Sequence, residues 1–189
     1  MMNQGPTATP SGIAGQLPAA RWRAAEAAGL FALTLFAPFV IHLLPVWGDE
    51  TWGARLLPMF FGPLLAAMFC RMEVGIAIAL LAPWANHFLT GRPLPPMAVI
   101  LCLQLLVFVL FLRWRFAVRG PRIHDPVFAY PTAVAASAGL IAVVPALHPA
   151  GPFAHWVGSV LTAWPGMALL AAVTYLAIRF HRQPPAAAQ

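Results

Sequence analysis

The chain has 189 residues, of which 61% are hydrophobic and only 8% charged. A soluble domain carries about 25% charged residues, so this chain cannot clothe a water-facing surface and lipid is its expected solvent. The net charge of +6 comes wholly from arginine. With no lysine there is no Walker-type phosphate loop, and arginines scattered between apolar runs read as topology signal, not as a nucleic-acid stripe.

Residues 1–20 are rich in Gly, Pro, Ala, Ser and Thr and read as a disordered cytoplasmic lead. Arg21 and Arg23 precede Ala27–Gly48, a run of 22 uncharged residues. That is longer than the apolar core of a cleaved signal and suits a membrane span. The next uncharged runs are Leu56–Cys70, Val74–Gly91, Pro93–Leu112 and Pro126–Ile178. The last holds 53 residues, enough for two spans, and is broken by Pro145 and by His148-Pro149-Ala150-Gly151-Pro152. Leu56–Cys70, at 15 residues, is short for a span.

Arginine placement decides the count. With six spans and an internal N-terminus, Arg21, Arg23, Arg71, Arg113, Arg115, Arg119, Arg122, Arg179 and Arg182 lie inside, and only Arg55 and Arg92 lie outside. Omitting the short run would move the cluster Arg113–Arg122 to the exterior, against the positive-inside rule. The expected fold is therefore an all-α polytopic membrane bundle of six transmembrane helices with both termini cytoplasmic. Its membrane domain covers residues 21–182, with a disordered tail over 183–189, and it belongs in a bacterial inner membrane.

On this topology the outer ends of the spans collect His42, Trp47, Asp49, Glu50, Trp52, Trp84, Asn86, His87, His148, His155 and Trp156. A belt of interfacial tryptophans is one reading. An outward-opening pocket with a few polar groups is the other. His42 and Asn86 serve either a ligand or helix–helix bonding, because polar groups inside spans avoid lipid. Gln104, near the middle of the fourth span, most often bonds to a neighbouring helix. Four outward histidines admit a transition-metal reading, but only His148 and His155 share a loop. Cys70 and Cys102 sit at unequal depths, which argues against a disulfide. No serine has a histidine and an acid at a suggestive spacing, so no enzyme and no cofactor are expected. Ala24, Ala28 and Ala32, with Gly29 beside them, allow a close helix approach.

Three stretches resemble a known family. They are Ala37-Pro38-Phe39-Val40-Ile41-His42-Leu43-Leu44-Pro45, Leu57-Pro58-Met59-Phe60-Phe61-Gly62-Pro63, and Leu81-Ala82-Pro83-Trp84-Ala85-Asn86-His87-Phe88-Leu89-Thr90-Gly91-Arg92-Pro93 with Pro95-Pro96-Met97. Together they resemble the substrate-binding S components of energy-coupling-factor (ECF) transporters over about residues 24–112. The chain departs from that pattern at Met59-Phe60, at Gly91-Arg92-Pro93 and at Gln104. The resemblance implies six spans and capture of a vitamin or similar small solute near the outer face. It also implies docking, through Ala24, Ala28 and Ala32, on a coupling membrane subunit with two ATPase subunits. The expected solute contacts are His42, Trp84, Asn86, His87 and Gln104, with Arg92 at the rim. Two other readings stand beside it: a non-transporting membrane protein that assembles or stabilises a complex, and a histidine-based metal permease subunit.

Overall fold

The computed structural model describes residues 16–42, 52–149 and 151–181. Trp47, Asp49, Glu50, the residues before Gln16 and the tail from Gln183 lie outside the described residues, as does the side chain of His42. Every regular element among the described residues is helical. α1 runs Gln16–His42, so it begins inside the stretch read as a lead. A short α2 (Trp52–Leu56) leads through a 3-10 turn at Pro58–Phe60 into α3, Phe61–Phe69. α4 (Met72–Thr90), α5 (Pro95–Arg119) and α6 (Asp125–Val143) follow, then α7 (Gly151–Thr162) and α8 (Trp164–His181).

Proline and glycine place most of these ends, since proline suits the first helical turn and glycine the residue past the last. α4 stops at Gly91, whose φ of 72° is left-handed and whose N–H bonds to His87 O at 2.7 Å. α5 opens on Pro95 and closes before Gly120; α6 carries Pro126 in its first turn. Pro38, Pro83 and Pro131 lie within helices. Each removes one backbone donor, which an apolar bundle tolerates where neighbours reseal the freed carbonyl. At Pro131 a cross-helix bond is added: Trp156 Nε1 of α7 donates to Pro131 O of α6 at 3.2 Å.

Four helices, α1, α4, α5 and α6, are long and apolar enough to cross a membrane, and α7 with α8 forms a fifth apolar pair bent by 56°. The stretch Ala54–Phe69 is apolar but shorter. Large apolar side chains face outward on every long helix, among them Phe36, Leu81, Val118, Phe128, Leu161 and Phe180, with Phe88 and Val143 each 80% exposed. Contiguous apolar exposure on that scale is foreign to a water-facing monomer. The chain is a membrane-embedded helical bundle.

α5 is the central post. Ile100, Gln104, Phe108 and Leu112 are buried at four-residue intervals on one face, with Leu105 and Val109 beside them. Phe60 meets Phe108 edge-on at 5.0 Å and Tyr130 at 5.3 Å, which ties the 3-10 turn to α5 and α6. Phe108 lies near the midpoint of α5, so α3 by itself covers only about half the height of the bundle, and α2, packed against α8, lies beyond the turn. Arg113 marks the other end of α3: its Nη1 donates to Ala67 O and Cys70 O, each at 3.1 Å. A cation on these carbonyls satisfies orphan acceptors and complements the helix dipole. Arg113 therefore does more than report sidedness.

Candidate functional site

The short α3 leaves space above the 3-10 turn that precedes it. A cavity of about 390 Å³ opens there, floored by Leu57, Pro58, Met59 and Phe60 and walled by α1, α4, α5, α6 and α7. Its floor begins on an uncommon backbone: Leu57 has φ 53° and ψ 45°, although proline follows it. Left-handed geometry is disfavoured for leucine, so the fold holds this turn against local preference, with Leu57 only 6% exposed.

The polar wall comes from four elements. Asn86 on α4 is 8% exposed, and its Oδ1 is buried with no hydrogen-bond partner among the described residues. Gln104 on α5 donates from Nε2 to Ser137 Oγ of α6 at 2.9 Å. Ser137 donates its only proton to Val134 O at 2.8 Å. Its Oγ is therefore an acceptor for Gln104 and for His155 Nε2, which lies 3.1 Å away. That arrangement assigns the His155 proton to Nε2 and leaves Nδ1 an acceptor. Tyr130 OH donates to Ser159 O at 3.4 Å, joining α6 to α7. His148 stacks near His155, ring centroids 4.8 Å apart.

Of the residues singled out from the sequence, Asn86, Arg92 and Gln104 line this one cavity, and so do His148 and His155. Arg92 is exposed and stands at the rim. Trp84 is turned elsewhere, because residues two apart on a helix lie about 200° apart around it. It packs edge-on against His87 at 6.3 Å and beside Phe88 at 6.5 Å. His87 also lies off the cavity wall: its Nδ1 bonds to Pro93 O at 2.8 Å and pins the α4–α5 turn. Thr90 completes that turn, accepting from Arg92 N at 3.1 Å and donating to Asn86 O at 2.8 Å. Ala24 and Ala28 are exposed on α1 and Ala32 is half-buried.

Tyr130, Ser137, Ser159 and Thr162 were not legible as site residues. Ser137 and His155 stand at the distance of a nucleophile and its base, a pairing their positions in the chain did not suggest. Yet Ser137 is fully buried, does not line the cavity and has its proton committed to Val134 O. Its role is to hold Gln104 and His155. Among the described residues no third His, Cys, Asp or Glu joins His148 and His155 in a metal-ligating group.

An apolar floor, one rim cation, an unsatisfied amide acceptor and a fixed amide–imidazole pair suit a small, partly polar molecule; sites of this kind span about 300–1,000 Å³. No family model matches the chain, and neither a curated protein nor a solved structure shows significant similarity to it.

Proposed function

We propose that this chain is a solute-binding membrane subunit, of the kind the S components of ECF importers represent, that captures a small nutrient such as a vitamin at the outer face of a bacterial inner membrane. The observation that carries the reading is Asn86: a buried residue whose amide oxygen has no hydrogen-bond partner among the described residues, on the wall of a cavity of ligand size. A buried acceptor left unpaired costs about 1–3 kcal/mol, and a solute with an N–H or O–H group would recover it. Arg92 at the rim favours a solute whose other end carries negative charge or a carbonyl, and among the described residues no acidic side chain lines the cavity. Seating Ser137 beneath the wall, out of solute reach, favours binding over chemistry.

Replacing Asn86 by leucine tests this. Affinity for the solute that co-purifies from membranes, identified by mass spectrometry and titrated back, should fall roughly five- to a hundredfold. The solute-free protein should melt at a higher temperature, because the orphaned acceptor is gone. Lower melting with unchanged affinity would make Asn86 structural and overturn the reading.

Six crossings belong to the same proposal: α1, the segment α2–α3, α4, α5, α6 and the bent pair α7–α8, with both termini in the cytoplasm. The nine-to-two division of arginines supports it. Reporter fusions at Arg71 and Arg119 should then report cytoplasm, and fusions near Arg92 and Gly151 the exterior. A cytoplasmic Gly151 would refute the arrangement. The exposed Ala24 and Ala28 on α1 remain the proposed face for the coupling subunit and its two ATPases.

A further inference from the structure

A second cavity, of about 410 Å³, lies at the opposite, arginine-rich end of the bundle. Arg122, Ile123 and His124 of the α5–α6 connection form one side, and Tyr175, Ile178 and Arg179 of α8 the other. We propose that it binds the phosphate headgroup of an anionic phospholipid.

Charge is the first reason. The acid that follows this connection, Asp125, is fully buried and already holds Arg115 through Nε at 3.0 Å and Nη2 at 2.8 Å. Its other oxygen accepts from the backbone N–H of Arg122 at 2.8 Å. That bond fixes the loop while leaving the Arg122 guanidinium without an acidic partner among the described residues. Arg179 is exposed, and its Nη1 donates to Tyr175 OH at 3.4 Å. Two guanidinium groups and a phenol, drawn from segments more than 50 residues apart, thus converge on one groove. Planar forks of this kind match phosphate oxygens bidentately.

The surroundings select a lipid over a soluble phosphate. Ile123 and Ile178 line the groove, and Phe128 of α6 is 57% exposed beside it, its ring 5.8 Å from that of His124. A free phosphate gains nothing from such walls, whereas acyl chains beneath a headgroup would cover them. Basic pockets between helices at a membrane face bind anionic headgroups in this way.

The test uses the full chain in nanodiscs of mixed phosphatidylglycerol and phosphatidylcholine, followed by native mass spectrometry of the lipid retained on release. Wild type should retain phosphatidylglycerol in preference to phosphatidylcholine. Each direct guanidinium contact to the phosphate contributes roughly fivefold, so Arg122→Gln with Arg179→Gln should weaken retention roughly 30-fold. Arg119→Gln removes the same charge from the same end of the bundle but outside the groove, and should leave retention unchanged. Should the double variant not fold, either single variant should still show the fivefold loss. Equal losses in Arg119→Gln and the groove variants would mean diffuse attraction and overturn the site. So would undiminished retention in the groove variants. Displacement of the lipid by millimolar inorganic phosphate, bound stoichiometrically in its place, would assign the groove to a soluble ligand instead.

Discussion

Arg115→Met is expected to destabilise the folded bundle by about 3–5 kcal/mol, the usual cost of stranding one member of a buried ion pair. Asp125 is fully buried and Arg115 only 16% exposed, and the two are joined through both Nε and Nη2. Methionine keeps much of the stem volume, so the loss reports charge and not packing. Without the guanidinium, Asp125 retains, among the described residues, the N–H of Arg122 for its negative charge. Asp125 also opens α6, where its charge complements the helix dipole. Unfolding of purified protein in a graded denaturing detergent, wild type against variant, measures the change. Adding Asp125→Leu to Arg115→Met should recover most of it, since no isolated charge is then buried. A single variant within about 1 kcal/mol of wild type would place this pair among solvated surface bridges.

Gly62→Leu should be comparably damaging, at about 3 kcal/mol or more, the upper range for overpacking. A Cβ at Gly62 would overlap Thr34 Oγ1 and come within 2.7 Å of Leu30 O on α1. Thr34 is itself fully buried and donates to Leu30 O at 2.8 Å, so neither neighbour has room to withdraw. Shortening Thr34 to alanine removes the side-chain obstacle but not the backbone one, and the double variant should recover only in part. Because Gly62 follows the turn that supplies Met59 and Phe60, separating α1 from α3 should also deform the cavity floor and abolish solute binding. A Gly62→Leu protein with wild-type melting and affinity would show that the α1–α3 crossing is looser than the structure has it.

The helix ends were largely legible because their causes are local. The Gly91–Pro95 stretch and the Pro145–Pro152 breaks restrict backbone angles whatever lies around them, and the structure stops or starts helices at both. The bend between α7 and α8 was not read, although Trp164-Pro165-Gly166 carries the residues for it. It lay inside a run whose apolar content suited one continuous span. The division of the second run was hidden for a different reason. Leu57 adopts a left-handed conformation that neither leucine nor a following proline favours, so only packing around it, against Phe60, Phe108 and Tyr130, can impose that turn.

Composition alone determined that lipid is this protein's solvent, because too few charged residues exist to cover it in water. The arginine pattern set the proposed sidedness, since the membrane reads charge segment by segment. Which polar residues share a site was a tertiary decision. Asn86, Gln104 and His155 lie on three helices and line one cavity because the short α3 leaves a gap that they wall. Trp84, two residues from Asn86, faces another way for the simple reason that a helix turns. Ser137 and His155, 18 positions apart, and Gln104 and Ser137, 33 apart, became partners through packing that no local propensity encodes.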